Sequence, residues 1–315
     1  MKDFPVKMAV EPSKSWCCKN ILINGTHEPE SLRMVSDLLR EGDVFADIGA
    51  NYGVYSMVGA YKVGSSGKVI AFEPQKAIIP ILEQSIALNN FDNVTVRNTA
   101  IGKDNATLTL YQTSAINNGQ ASLAWGDKDA PHETVSVYPL SKILEDENIK
   151  SVAGMKIDVE GAELQVLQGA KLLFEKQPPK FVHIEIEPEH LKRFGTSTDD
   201  IFKFFKKHNY SLYVSYHSDW MPFSSSEEFV EFKNHTNVLA LHRESGIKPP
   251  KKSAVLQELE SLEKFLKKST ENKIKKSANH IFARITTSAE KIGDTDNEVL
   301  ISRFMAVLEK IKKYL

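Results

Sequence analysis

The chain has 315 residues, of which 41% are hydrophobic and 26% charged, the balance of an ordinary soluble globular protein with room for one large domain or a domain plus an appendage. Its 40 Lys and Arg stand against 41 Asp and Glu, a net charge of −1 that argues against nucleic acid as a partner. Cys17 and Cys18, adjacent and alone, exclude a disulfide framework and zinc-type spacing and suggest a reducing cytoplasm, while neither an apolar signal core at Met1–Pro5 nor a run of ~18 apolar residues points to export or a membrane.

Residues 19–23 read as a short strand closed by the turn pair Asn24-Gly25. His27-Glu28-Pro29-Glu30 leads into a helix with Leu32, Val35, Leu38 and Leu39 on one face. His27 and Glu28 could reach over a ligand or simply form the loop before that helix. Val44–Ile48 is a short apolar run, as a buried parallel strand requires. Gly49 and Gly53 follow, and then Val54, Met57, Val58 and Tyr61 mark one face of a helix. Strand, glycine turn and helix in this order place the turn at the carboxyl end of a strand, where nucleotide-like ligands bind. Gly49 and Gly53, lacking Cβ, let a ligand approach the backbone, and Asp47 at the strand mouth could accept hydrogen bonds from a cationic amine. Lys68–Glu73 reads as the next strand and ends on an acid. Glu73 lies about 20 residues past the turn, the spacing for hydrogen bonds to a ribose diol. Asp47 and Glu73 could instead be solvated loop acids. No Gly-x-Gly-x-x-Gly cradle is written here, so the ligand looks like a nucleoside without a diphosphate, and S-adenosylmethionine fits.

A helix over 75–89 and a strand at Asn93–Arg97 follow, with the loop Asn98–Gly102 at its mouth. Residues 107–111 alternate as a strand or hairpin does, and Val135 and Val137 mark another strand. Between them, 113–131, with Trp125, is a candidate lid or a plain surface loop. Met155–Ile157 then runs into Asp158, Glu160 and Gly161, and strand alternation puts Lys156, Asp158 and Glu160 on one side. Phe181–Pro188 repeats the device with His183, Glu185 and Glu187. Such groups are costly in a dry core and tolerable at an open sheet mouth. Glu163, Glu187 and Glu189 read equally well as acids favoured at helix starts. A helix over 198–208 and two antiparallel strands at 210–216 and 236–242 complete the pattern, and the aromatic-polar stretch 216–223 between them suits a sugar or a loop pinned by its aromatics. Alternating strands and helices over 44–242 predict an α/β, doubly wound, mainly parallel sheet.

Asp47-Ile48-Gly49-Ala50-Asn51-Tyr52-Gly53, Phe72-Glu73-Pro74, Ala100-Ile101-Gly102, and above all Lys156–Glu163 with Leu167-Gln168-Gly169-Ala170 resemble the FkbM-type methyltransferases over residues 20–242. The resemblance implies a Rossmann-like seven-stranded sheet, S-adenosylmethionine as methyl donor and O-methylation of hydroxyls on sugars or natural products. It implies that Asp47, Gly49 and Asn51, with Gly53 in the same turn, hold the methionine part, Glu73 the ribose, and the loop of Ala100 and Ile101 the adenine. Asp158 and Glu160 would line the reaction centre. The implied domain runs over residues 1–245.

A hydroxyl nucleophile needs a base within reach, and His183, Glu185, Asp158 and Glu160 are the candidates. Asp158, Glu160 and Glu185 could alternatively hold Mg²⁺. Beyond 246 the composition changes to a stiff basic linker, Lys248–Lys252, and three amphipathic helical patterns. Residues 248–315 carry 15 Lys and Arg against nine Asp and Glu. That tail should pack on its own chain or a second copy, or dock on a membrane surface or a partner. The rival functions are a scaffold acting through the tail and an NAD-dependent oxidoreductase, the latter opposed by the missing glycine cradle.

Overall fold

The structure is a computed structural model that describes residues 1–112, 121–123, 132–216, 219–230 and 237–248. Trp125 and most of the candidate lid, His217 and Ser218 of the aromatic-polar stretch, and the tail from 249 onward lie outside the described residues. Two compact units divide the chain. The first holds 1–215, 222–226 and 236–248; of the described residues the second takes in Tyr216, Asp219–Met221 and Glu227–Val230.

The chain begins with helix α1 (Trp16–Asn24), not the strand expected at 19–23. Ser15 accepts from the Cys18 amide at its start, and Gly25, with φ +75°, ends it. Asn24-Gly25 is thus a helix end, because a left-handed glycine closes helices as readily as it turns hairpins. Helix α2 (Pro29–Leu38) opens on a proline, whose missing N–H is no loss at a first turn. Strand β1 (Val44–Ile48), helix α3 (Val54–Val63), strand β2 (Lys68–Phe72), helix α4 (Ile79–Asn89) and strand β3 (Val94–Arg97) follow as expected. Val69 to Phe72 are fully buried, as befits a parallel strand covered on both faces.

Strands β4 (Ala100–Ile101), β5 (Ala106–Gln112), β6 (Ala121–Ser122) and β7 (His132–Tyr138) form a separate small sheet in the order β4-β7-β5-β6. Leu110, Val135 and Val137 alternate inward and make its core with Ala100. Helix α5 (Leu140–Asp146) returns the chain to strand β8 (Gly154–Ile157), helices α6 (Glu163–Gly169) and α7 (Lys171–Lys176), strand β9 (Phe181–Glu185), and helices α8 (Pro188–Arg193) and α9 (Thr198–Lys207). Strand β10 (Tyr210–Tyr216), strand β11 (Asp219–Phe223), helix α10 (Ser226–Val230) and strand β12 (Asn237–His242) end the described chain.

The main sheet runs β11-β10-β12-β9-β8-β1-β2-β3. It is the expected seven-stranded, doubly wound Rossmann-like sheet with β11 as an eighth strand. Neighbours from β9 to β3 are parallel, while β12 runs antiparallel to both β9 and β10. The chain winds outward from β1 to β3 and then resumes on the other side of β1 at β8. That reversal leaves a crevice outside the carboxyl ends of β1 and β8, where ligands of such sheets bind. Among the described residues no helix is long and apolar enough to cross a membrane.

Candidate active site

The turn after β1 is stitched to the end of β2. The amides of Gly49 and Ala50 both donate to the Phe72 carbonyl, at 3.0 and 2.9 Å. Gly49 has φ +79°, and a β-carbon there would lie 1.8 Å from the Asp158 carbonyl oxygen. Asn51 is left-handed at φ +51°, a conformation Asn tolerates better than most residues. Its amide donates to Glu73 Oε2 at 2.8 Å, and the Gln75 amide donates to Glu73 Oε1 at 2.8 Å. Burial pushes the Glu73 carboxyl up to about 7. Asp47 is also buried, one turn of chain beneath, where it accepts from the Ser56 hydroxyl at 2.5 Å. Burial raises it to about 6. It supports the turn from below rather than lining the crevice.

The crevice spans about 650 Å³, counted with its open mouth. Gly49 and Asn51 form its floor, Glu73 one side and Asp158 with Glu160 the other. Ala100 and Ile101 complete the wall expected from the loop 98–102. The Asn98 amide group donates to the carbonyls of Glu73 and Pro74 and so draws that loop to the end of β2. The small sheet adds an apolar wall of Leu110, Ala121 and Leu123. Sequence reasoning missed these three. The alternation at 107–111 showed a strand, but not which side would meet the crevice.

A charged cluster begins in β8 and continues past its end. Lys156 is 2% exposed, its Nζ 3.2 Å from Asp158 Oδ2 and 5.2 Å from the centre of the Tyr55 ring. Burial works against its charge, but the Asp158 carboxylate, helped by Glu28, outweighs it and keeps the ammonium ionised. Asp158 is held below the usual carboxylate range despite burial, by Lys156 and by a hydrogen bond with Glu185. The Asp158 charge and burial drive Glu185 well upward, so Glu185 carries the proton and Asp158 the charge. The Tyr55 hydroxyl donates to Glu28 Oε2 at 2.6 Å, and His27 Nε2 lies 4.0 Å from Glu28 Oε1.

His183 is in register with Lys156 on the neighbouring strand and fully buried, its ring stacked on Tyr55 at 5.5 Å. Burial, with Lys156 beside it, keeps it neutral and well below its ordinary value. It faces the interior and not the crevice.

Glu160 departs from the expected alternation, because β8 ends at Ile157 and Glu160 adopts φ +54°. Its Oε2 lies 3.0 Å from His190 Nδ1 of α8. Burial first, then the Asp158 and Glu163 charges, push it up to about 8. Glu163 opens α6 and its Oε1 accepts from the amides of Gly161 and Val159 at 3.1 and 3.3 Å. Glu187 caps α8 by accepting from the Glu189 amide, and Glu189 is exposed beside Lys192. Glu187 and Glu189 therefore act as helix-start acids, whereas Glu163 ties down the loop before α6. Among the described residues no three His, Cys, Asp or Glu side chains gather around one point in a metal-binding set. The expected Mg²⁺ ligands Asp158, Glu160 and Glu185 are instead engaged with Lys156, His190 and one another. The arrangement can grip a nucleoside at its Glu73 end and present an anionic carboxylate to a polar reactant at its Asp158 end.

Comparison with known proteins bears on this geometry. "Methyltransferase 1" of Beauveria bassiana is 27% identical over 142 residues, which cover 39% of this chain and 56% of that protein. The chain thus spans little more than half of that relative's length. The solved methyltransferase FkbM of Methylobacillus flagellatus shares 16% identity at a TM-score of 0.41, over 72% of this chain and 60% of that one. A SAM-dependent O-methyltransferase of Thermotoga maritima shares 14% at 0.39, over 70% and 69%. These structural likenesses are too slight to transfer a substrate. The sequence profile of the methyltransferase FkbM domain, however, matches residues 47–212, more than half of the 315, and the chain belongs to that family.

Proposed function

We propose that the protein is an S-adenosylmethionine-dependent O-methyltransferase whose acceptor is a hydroxyl of a sugar, glycan or glycosylated metabolite. The carrying observation is that Glu73, Gly49 and Asp158, at the carboxyl ends of three strands, open onto one crevice. Each Glu73 oxygen accepts a single backbone N–H and keeps a lone pair for a ribose hydroxyl. Ile101, Leu110 and Leu123 offer an apolar slot for a purine. Gly49, without a Cβ, lets the β1 turn lie against the Asp158 carbonyl at the crevice. The bound donor would supply an electrophilic methyl carbon. Asp158, ionised and a third exposed, orients an acceptor hydroxyl, with Glu160 beside it to take the proton. Positioning of this kind lowers a displacement barrier by several kcal/mol, and a placed base adds about 10²–10⁴-fold.

Glycan hydroxyls suit a site of clustered carboxylates, which accept hydrogen bonds from vicinal hydroxyls. The two free thiols favour a cytoplasmic setting. The tail is proposed to pack on its own chain or a second copy, with no nucleic acid involved. Calorimetric titration with S-adenosylmethionine, its demethylated product and NAD tests the reading. Micromolar binding of the first two and none of NAD supports it. Binding of NAD alone favours an oxidoreductase, and binding of none in a folded protein favours the scaffold role.

A further inference from the structure

The contact between Glu160 and His190 joins two elements that the strand pattern keeps apart. Glu160 lines the crevice from the loop after β8, and His190 comes from α8, past the end of β9. The loop has little slack. Gly161, at φ +109°, packs so tightly on α8 that a β-carbon would lie 2.6 Å from the His190 carbonyl oxygen and 2.8 Å from Phe194. On the other side the Ser122 hydroxyl of β6 donates to the Glu160 carbonyl at 3.4 Å. Glu160 is thus held in a left-handed conformation that Glu rarely adopts, with its carboxylate turned onto the imidazole. The Glu160 side chain keeps 17% of its exposure and the His190 side chain 22%, so a path to solvent exists.

We propose that His190 is a positioning residue of this site: its Nδ1–H donates to Glu160 Oε2 and holds that carboxylate at the crevice, where its other oxygen, Oε1, takes the proton an acceptor hydroxyl releases on methylation. The inference rests on the methyltransferase reading above. In the balanced step the hydroxyl oxygen bonds the methyl carbon and the carbon–sulfur electron pair stays on sulfur. The O–H proton passes to Glu160 Oε1, and His190 keeps its own proton on Nδ1.

The surrounding charges fit such a base. Glu160 faces Asp158 and Lys156 from β8 and its loop, Glu163 from α6, and Glu187 from the start of α8. His190 faces Glu187, Arg193 and Asp158. Burial disfavours charge on both partners, raising the acid and lowering the imidazole. The two shifts place Glu160 above His190 in proton affinity, so the released proton stays on the carboxylate and not on the ring.

The test is a pH titration of the ring nitrogens by NMR on the full chain labelled with ¹⁵N-histidine, in the wild type, Glu160→Gln and Glu160→Asp. The His190 signal is assigned by its loss in His190→Gln. The pairing requires the proton affinity of the His190 ring to fall threefold or more in Glu160→Gln and to recover at least partly in Glu160→Asp. A midpoint that ignores residue 160 overturns the inference, and so does recovery in neither variant. Should Glu160→Gln not fold, Glu160→Asp against the wild type decides alone, since its retracted carboxylate must still shift the midpoint. Calorimetry with the demethylated product on the same samples separates the two failures. Absence of product binding refutes the methyltransferase reading, whereas an unmoved His190 midpoint in a protein that binds product refutes only the pairing.

Discussion

A β-carbon placed on Gly49 would lie 1.8 Å from the carbonyl oxygen of Asp158. The two ends of the proposed site, one on the β1 turn and one past β8, are therefore in direct backbone contact at the point where the sheet reverses its winding. Gly49→Ala meets both a forbidden contact and a left-handed backbone, the second alone costing about 1–2 kcal/mol. The expected result is a lowered melting temperature together with loss of S-adenosylmethionine binding. Unchanged melting and affinity would disprove the close approach.

Glu73→Ala should weaken S-adenosylmethionine by ~1–3 kcal/mol, the worth of a charged hydrogen-bond partner. It also strands the amides of Asn51 and Gln75, so the free protein should melt earlier as well. Glu73→Gln, which keeps one acceptor oxygen, should fall between. Calorimetry and thermal melting on the same three proteins check this, and equal affinity across them would remove Glu73 from the ribose site.

Asp158→Asn should lower turnover, with an acceptor in hand, by about 10²-fold or more, while changing S-adenosylmethionine affinity far less. The variant leaves the Lys156 ammonium beside a neutral amide. A stability loss of about 1–3 kcal/mol should accompany it. A normal turnover rate would exclude Asp158 from the reaction centre.

Stability of the unliganded protein should fall as pH rises from 6.5 to 8.5. Burial lifts Glu73 and Glu163 to about 7 and Glu160 to about 8. In the unfolded chain such carboxyls ionise near ~4.3. Around pH 6.5 the folded state thus binds more protons than the unfolded state, and its advantage is lost as pH climbs through the folded values. His183, kept neutral by burial, acts in the opposite sense but only below its ordinary value of ~6.5. Melting temperatures across this window, with Glu163→Gln expected to flatten the slope, provide the check. A melting temperature that rises over the window would contradict these assignments.

The β1 turn, Glu73 and the acids past β8 are legible in the sequence because each depends on local rules: an apolar run, glycines without Cβ, and an acid at a strand end. Helix α1 is hidden because Asn24-Gly25 serves a helix end and a hairpin equally well. Glu160 misleads, since alternation presumes a strand that has already stopped at Ile157. His190 leaves almost no trace, because α8 spans only six residues and has too few positions to show a period. Only Pro188 after Glu187 announces that helix. The apolar wall of Leu110 and Leu123 depends on how one sheet lies against another, which no single segment records.

Six non-glycine residues among those described have left-handed backbones: Asn51, Asn90, Asn148 and Asn209, and then Glu28 and Glu160. Asparagine bears this conformation with least penalty, so the first four need no special account. Selection for durability alone would have replaced both glutamates by asparagine or glycine. Their presence marks a compromise, in which carboxylates sit at two awkward positions, Glu160 near Asp158 and Glu28 on the Tyr55 hydroxyl, at some expense to robustness. A thermostable variant library built on this chain would find easy gains at 28 and 160, and those gains are the ones to decline if the site is to keep working.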